Sequence, residues 1–224
     1  MKLAVNEIFE TMQGEASFTG TPAVFVRLQG CSVGCPWCDT KHTWDRPRAM
    51  VRPLGDILLK VIESATFAEV TPQELVGVIL SFRARHVVIT GGEPADYDLF
   101  ELSELLIAAG RTVQLETSGT SPIRIAELAF VTVSPKIEMP GKRVLIGASL
   151  RRANEIKMPV GSVRDIAALR EVLGLLDSER AVRAPLVYLQ PLSTSEKATK
   201  LCVQAATEYG WRVSIQTHKY LGVR

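Results

Sequence analysis

The sequence predicts an α/β fold in which about six or seven parallel strands make a partial, open β/α barrel. Three observations carry this. Apolar, β-branched runs alternate with amphipathic stretches along almost the whole chain, the pattern of parallel strands joined by crossover helices. Each run is followed by a cluster of small and polar residues, as expected where the carboxyl ends of parallel strands frame a ligand crevice. At 224 residues the chain is shorter than the roughly 250 typical of eight closed βα units. It reads as one domain over residues 1–224, with a cysteine loop at 30–40.

In chain order, the strand candidates are Ala23 to Leu28, His86 to Thr90, Thr112 to Glu116, Phe130 to Ser134, Asn154 to Met158, Leu186 to Gln190 and Arg212 to Gln216. Thr71-Pro72-Gln73-Glu74 is a capping box with proline at the first helical position, opening a helix toward Phe82. A second helix runs from Leu99 to Ala109 and stops at Gly110. Ser162, with Asp165 three residues on, starts a third over Val163 to Leu176. Cys202 lies in a further helical stretch, EKATKLCVQAATEYG, as a small buried hydrophobe. MPGKRVLIG, residues 139–147, is the least regular segment and reads as a loop over one end of the sheet.

A net charge of +2 without a Lys/Arg block gives no electrostatic footprint for direct nucleic-acid binding or an acidic membrane surface. No run of about 18 apolar residues appears, and MKLAVNEIFETMQGE turns acidic before a signal-peptide core could form. The expected setting is cytoplasmic. In a reducing compartment, clustered cysteines serve metal binding or catalysis in preference to disulfides.

Three of the four cysteines, Cys31, Cys35 and Cys38, fall within GCSVGCPWCDTKHTW. A structural zinc site takes four protein ligands, and His42 would complete a Cys3His set. A disulfide would leave one thiol over. Alternatively, three cysteines in one short loop hold three irons of a [4Fe-4S] cluster and leave the fourth open to a ligand that is not protein.

The CxxxCxxC loop after the first predicted strand, with Trp37 before its last cysteine, resembles the radical S-adenosylmethionine (SAM) superfamily. Thr90-Gly91-Gly92-Glu93-Pro94 matches that superfamily's GGEP motif. The resemblance implies the partial TIM-like barrel of the radical SAM type, with SAM chelated on the open iron. By the same resemblance, reduction there would release a 5′-deoxyadenosyl radical that abstracts hydrogen from substrate. Closer resemblance, carried by ETMQGEASFTGTPAVFVRLQGC, CPWCDTKHTW, RHVVITGGEP, QLETSGT, VSPK, ANEIK, LQP and QTHKYLG, is to the 7-carboxy-7-deazaguanine synthase family in its enterobacterial-type branch. It implies conversion of 6-carboxy-5,6,7,8-tetrahydropterin to 7-carboxy-7-deazaguanine with loss of ammonia, toward queuosine in tRNA. It also implies a homodimer and a flavodoxin-type electron donor. A glycyl-radical activase is the alternative among enzymes, and the pterin-pocket residues argue against it.

By the same resemblance, Met12, Gln13, Gly14 and Glu15 line the pterin, Arg27 clamps its carboxylate and Thr90 contacts it, with His218 and Arg224 near it at the C-terminus. Arg27 as a surface arginine on its strand is the alternative. Thr40 matches a magnesium-contacting threonine, with Asp39 as the nearby charged alternative; a hydroxyl suits Mg2+, whose shell is otherwise substrate oxygens and water. SAM is met by Trp37, Cys38 and Asp39 of the loop, and by Gly92 and Glu93. Ser134, Pro135 and Lys136 match a SAM-binding Ser-Pro-Lys, and Glu116, Ser118 and Gln190 are further SAM candidates. Lys157 is either catalytic or paired with an acid inside the barrel. His86, at the start of its strand, reads as structural, and Ala16 stands where relatives often have glycine.

Overall fold

Alternation along the strands sorts side chains into an apolar face and a polar face. The computed structural model describes residues 1–177 and 184–223. Its strands are β1 (Leu3–Gln13), β2 (Thr21–Leu28), β3 (Ala68–Val70), β4 (His86–Gly91), β5 (Thr112–Thr117), β6 (Phe130–Val133), β7 (Glu155–Val160), β8 (Leu186–Pro191) and β9 (Arg212–Val213). On β2, Val24, Val26 and Leu28 join the hydrophobic core, whereas Phe25 and Arg27 line a cavity. The same division recurs across the sheet. Val87 and Ile89, Val131 and Val133, and Ile156 and Met158 belong to the core; Glu116, Thr132 and Lys157 line the cavity. Period-two alternation is what places them on opposite faces.

All nine strands form one sheet in the order β3-β1-β2-β4-β5-β6-β7-β8-β9. β2 and β4 to β9 are parallel, as expected, and β1 and β3 add an antiparallel margin. The sheet is open, ending on β3 and β9. Neither β1 nor β3 belongs to the expected set. In β1 the buried polar pair Asn6 and Glu7 interrupts the alternation, and a register shift between Val5 and Glu7 marks a bulge at Asn6. β9 is shorter than expected, because the chain after it turns toward β1: Thr217 N–H donates to Gly14 O at 2.9 Å.

The helices are α1 (Leu54–Leu58), α2 (Pro72–Leu80), α3 (Phe100–Ala108), α4 (Gly147–Arg152), α5 (Val163–Asp177), α6 (Glu196–Tyr209) and α7 (Thr217–Leu221). The capping box forms: the Thr71 hydroxyl accepts from Glu74 N–H, and the Glu74 carboxylate accepts from Thr71 N–H. Leu75 and Ile79 of α2 and Leu102 and Leu106 of α3 are fully buried in the core against the sheet. Cys202 is fully buried on α6, which ends at Gly210 in the left-handed conformation. Among the described residues no helix is long and apolar enough to cross a membrane.

Residues 14–20 plug the amino end of the barrel. Ala16 N–H donates to Ser214 Oγ at 2.9 Å and Ser17 N–H to Glu155 Oε2 at 3.2 Å. Phe18 stacks on His86 at 4.2 Å between centroids and meets Phe130 edge-on. His86 is thus part of the plug, as its position suggests. The carboxyl end is left for the site.

Candidate active site

The cysteine loop leaves the sheet after β2 and returns at residues 42–46. Its neck is tied by backbone bonds from Gly30 N–H to Thr43 O, 2.6 Å, and from Cys31 N–H to Trp44 O, 2.9 Å. Cys31, Cys35 and Cys38 all line a cavity of about 530 Å³ at the carboxyl ends of the strands. All three are free of disulfides. Burial pushes the Cys31 and Cys35 thiols up from their ordinary pKa, while the Val33 and Gly34 N–H groups pull Cys31 down and Lys136 does the same for Cys35. A metal centre would complete that pull, since the thiolate is the ligating form.

The end of β4 presses against this loop, and its glycines follow from that. A Cβ on Gly92 would stand 2.2 Å from Gly30 O and 2.8 Å from Cys31 Cβ. Gly91 has φ +146, and a Cβ there would meet Leu28 O at 2.3 Å. Glu93 N–H then donates to Gly30 O at 2.8 Å, fastening the two segments. From the other side, Gly141 N–H reaches Val33 O at 3.0 Å, so the irregular 139–147 segment packs on the cysteine loop.

Glu93 is buried and its carboxylate is fully engaged within the protein. One oxygen accepts from Ala95 N–H at 3.0 Å and Thr117 Oγ1 at 2.5 Å; the other accepts from Ser118 N–H at 2.9 Å and from the Ser118 hydroxyl. It therefore braces β4 to the turn after β5. Lys136 donates to Ser134 O at 3.0 Å and Ser134 Oγ at 2.5 Å. Burial lowers the Lys136 pKa, against the pull of Cys35. Pro135 is buried between these two and does not line the cavity.

The cavity floor is an ionic network. Lys157 donates to Glu15 and, at 3.2 Å, to Glu116 Oε2. Glu15 Oε1 also accepts from Gln216 at 2.8 Å and Gln190 at 3.2 Å, and Gln13 Nε2 reaches Glu116 Oε1 at 3.0 Å. Burial opposes the charge on Glu15, but Lys157 outweighs it and the pKa falls from 4.5 to about 2. Burial likewise opposes charge on Lys157, and Glu116 and Glu15 overcome it, so its pKa rises. Of the two roles open to Lys157, the structure shows acid pairing.

Arg27 donates from Nε to Glu7 Oε1 at 2.6 Å and lines the cavity with only 18% of its side chain exposed, so it is not a surface arginine. Thr90, beside it in the sheet register, lines the cavity too. Met12 and Gly14 arrive from the end of β1; a Cβ on Gly14 would stand 2.1 Å from His218 Nδ1. Trp37, Asp39 and Thr40 line the loop side, with Thr40 Oγ1 3.6 Å from Cys38 Sγ. Gly92, Glu116, Ser118 and Gln190 are present as well. Arg224 lies outside the described residues. Sequence reasoning missed Phe9, Trp44 and Gln216 in the lining. Phe9 stacks on Phe25 at 5.5 Å, a pairing visible only once β1 is placed beside β2.

The donor set suits an iron-sulfur cluster. Three thiols face one cavity, an ammonium stands near Cys35, and Trp44, which lines the cavity, has a buried indole N–H with no protein partner. Among the described residues no three His, Cys, Asp or Glu side chains close on a point as one zinc ion would need. His42 stands 3.8 Å from Glu63 and does not line the cavity.

A family model described as the radical SAM superfamily matches residues 25–171. The 7-carboxy-7-deazaguanine synthase of Escherichia coli (strain K12) is 48% identical over 225 residues, covering 100% of both chains. The chain belongs to the 7-carboxy-7-deazaguanine synthase family. Its synthase relative in Aquifex aeolicus is 36% identical, covering 97% of this chain and 92% of that one. The crystal structure of QueE from Escherichia coli superposes with a TM-score of 0.92 at 47% identity, over 96% of this chain and 94% of that chain. Radical SAM membership implies a [4Fe-4S] cluster and SAM, which the three-cysteine loop suits.

Proposed function

We propose that this chain is a radical SAM enzyme converting 6-carboxy-5,6,7,8-tetrahydropterin to 7-carboxy-7-deazaguanine with loss of ammonia, a step toward queuosine in tRNA. One observation carries the reading: a single cavity joins three thiols, with no fourth cysteine among the described residues in its lining, to a floor of carboxylates paired with Lys157. When bound, the cluster and SAM supply a one-electron route to a carbon radical that removes hydrogen from substrate.

Cys31, Cys35 and Cys38 would hold the cluster. Trp37, Asp39, Gly92, Ser134 and Lys136 would meet SAM, with Ser118 and Gln190 beyond them and Pro135 setting the backbone between its neighbours. Glu93 would act mainly by holding Gly92 and Ser118 in place. The pterin's guanidine-like edge presents N–H donors, and Glu15 and Glu116, both paired with Lys157, are matching acceptors. Gln13, Gly14, Met12, Thr90 and His218 would complete that pocket. Arg27, oriented by Glu7, would take the substrate carboxylate, and Thr40 would contact Mg2+ bound to substrate oxygens. A homodimer, a flavodoxin-type electron donor and a cytoplasmic setting belong to the same reading.

The test is an anaerobic assay with reconstituted protein, SAM, a reductant, Mg2+ and the carboxylated tetrahydropterin. Formation of 7-carboxy-7-deazaguanine is expected. A cluster with no such product would reject the reaction, and failure to assemble any iron-sulfur cluster would reject the cofactor reading.

A further inference from the structure

Four successive carbonyls of the loop's returning arm, His42, Thr43, Trp44 and Asp45, are held by three successive residues of the outgoing arm. Gly30 N–H takes Thr43 O and Cys31 N–H takes Trp44 O. The outer two fall to one side chain: Gln29 Nε2 donates to His42 O at 2.9 Å and to Asp45 O at 2.6 Å. Gln29 is fully buried, lies outside the cavity lining and precedes the first cluster cysteine by two residues.

The direction of this amide is determined by its surroundings. Asn6 Nδ2 donates to Gln29 Oε1 at 2.6 Å, which turns the Gln29 nitrogen toward the two carbonyls. Asn6 is oriented in the same way. Its nitrogen faces the Ser64 and Thr66 carbonyls, at 2.9 and 3.1 Å, so its oxygen accepts from Lys60 Nζ at 2.9 Å. Asn6 is the bulge residue of β1, and the bulge aims it out of the regular register. The result is a one-way relay, Lys60 to Asn6 to Gln29 to the neck of the cysteine loop. On its other side, the Gln29 carbonyl accepts from Tyr97 Oη at 2.5 Å, just beyond the Glu93-Pro94 turn.

We infer that Gln29 is a positioning residue for the iron-sulfur centre: its carboxamide clamps the neck that fixes Cys31 and the Thr40–Asp45 arm about the cluster. The inference rests on the cofactor reading above. Partners beyond the ligands themselves hold ligand geometry, and such networks lose their value when one member reverses polarity. Gln29→Glu keeps the shape and replaces both donors with acceptors facing two carbonyls. Gln29→Met keeps the volume and removes the donors without adding charge.

Anaerobically reconstituted parent and variants are challenged with an iron chelator, with iron release followed by absorbance, and the reduced cluster is compared by electron paramagnetic resonance. Both variants are expected to release iron at least about tenfold faster than the parent. Release rates and spectra like the parent's in either folded variant would overturn the inference and leave the cofactor reading intact. A parent that takes up no cluster would instead overturn that reading.

Discussion

Lys157→Met removes the ammonium shared by Glu15 and Glu116 and leaves two partly buried carboxylates on the cavity floor without their cation. Glu15 is 14% exposed and Lys157 6%, so solvent screens the pair little. A fall in the Glu15 pKa from 4.5 to about 2 corresponds, at about 1.4 kcal/mol per tenfold, to about 3 kcal/mol. That agrees with the roughly 3–5 kcal/mol lost when one partner of a buried ion pair is removed. Because the folded pKa is depressed, the contribution is present above pH 4.5 and is lost as pH falls toward about 2. In the variant, burial of Glu15 is opposed by the Gln216 hydrogen bond and by His218 but no longer by an ammonium, so acid relieves the folded state. Thermal unfolding should show a deficit of about 6–12 °C at pH 7, taking about 2–4 °C per kcal/mol for a chain of this size, and the deficit should narrow toward pH 3. A deficit under about 2 °C at pH 7, or one that stays constant with pH, would refute the ionic account of the floor.

Other consequences can be checked separately. Gly92→Ala places a methyl 2.2 Å from the Gly30 carbonyl, in backbone that cannot move aside; iron incorporation and turnover should both collapse, and iron content per chain measures it. Ala16 holds φ +52 inside the barrel plug, so Ala16→Gly should raise stability by up to about 1 kcal/mol, read as the unfolding midpoint. Arg27→Ala should raise the KM for the pterin at least about tenfold, with a smaller effect on kcat; an unchanged KM would remove Arg27 from carboxylate binding. Cys35→Ala should abolish the iron-thiolate absorption near about 400 nm while leaving the fold intact.

Much of the fold was legible because each parallel strand carries an unbroken apolar half. Val24, Val26 and Leu28, or Val87 and Ile89, announce themselves without tertiary knowledge. β1 was not legible: in the sequence Asn6, Glu7 and Glu10 look like residues that face solvent. Their bonds to Gln29, Arg27 and the Ala84 amide exist only after folding. For the site, clusters after successive strands converge as the parallel topology requires, bringing Thr90, Ser134 and Gln190 to one cavity. Glu93 and Gln29 show where motif reading stops. Glu93 lines the cavity, but its motif does not reveal that its carboxylate also accepts from Thr117 and Ser118, and a glutamine outside any motif clamps the loop.

The most direct test of the central claim is isotopic. With pterin substrate deuterated at C6, the carbon that bears the carboxylate, the protein, SAM and reductant should give 7-carboxy-7-deazaguanine. Deuterium from C6 should appear in the 5′-methyl group of 5′-deoxyadenosine or in recovered SAM, measured by mass spectrometry. Product formed with no deuterium in either cofactor species would contradict the account.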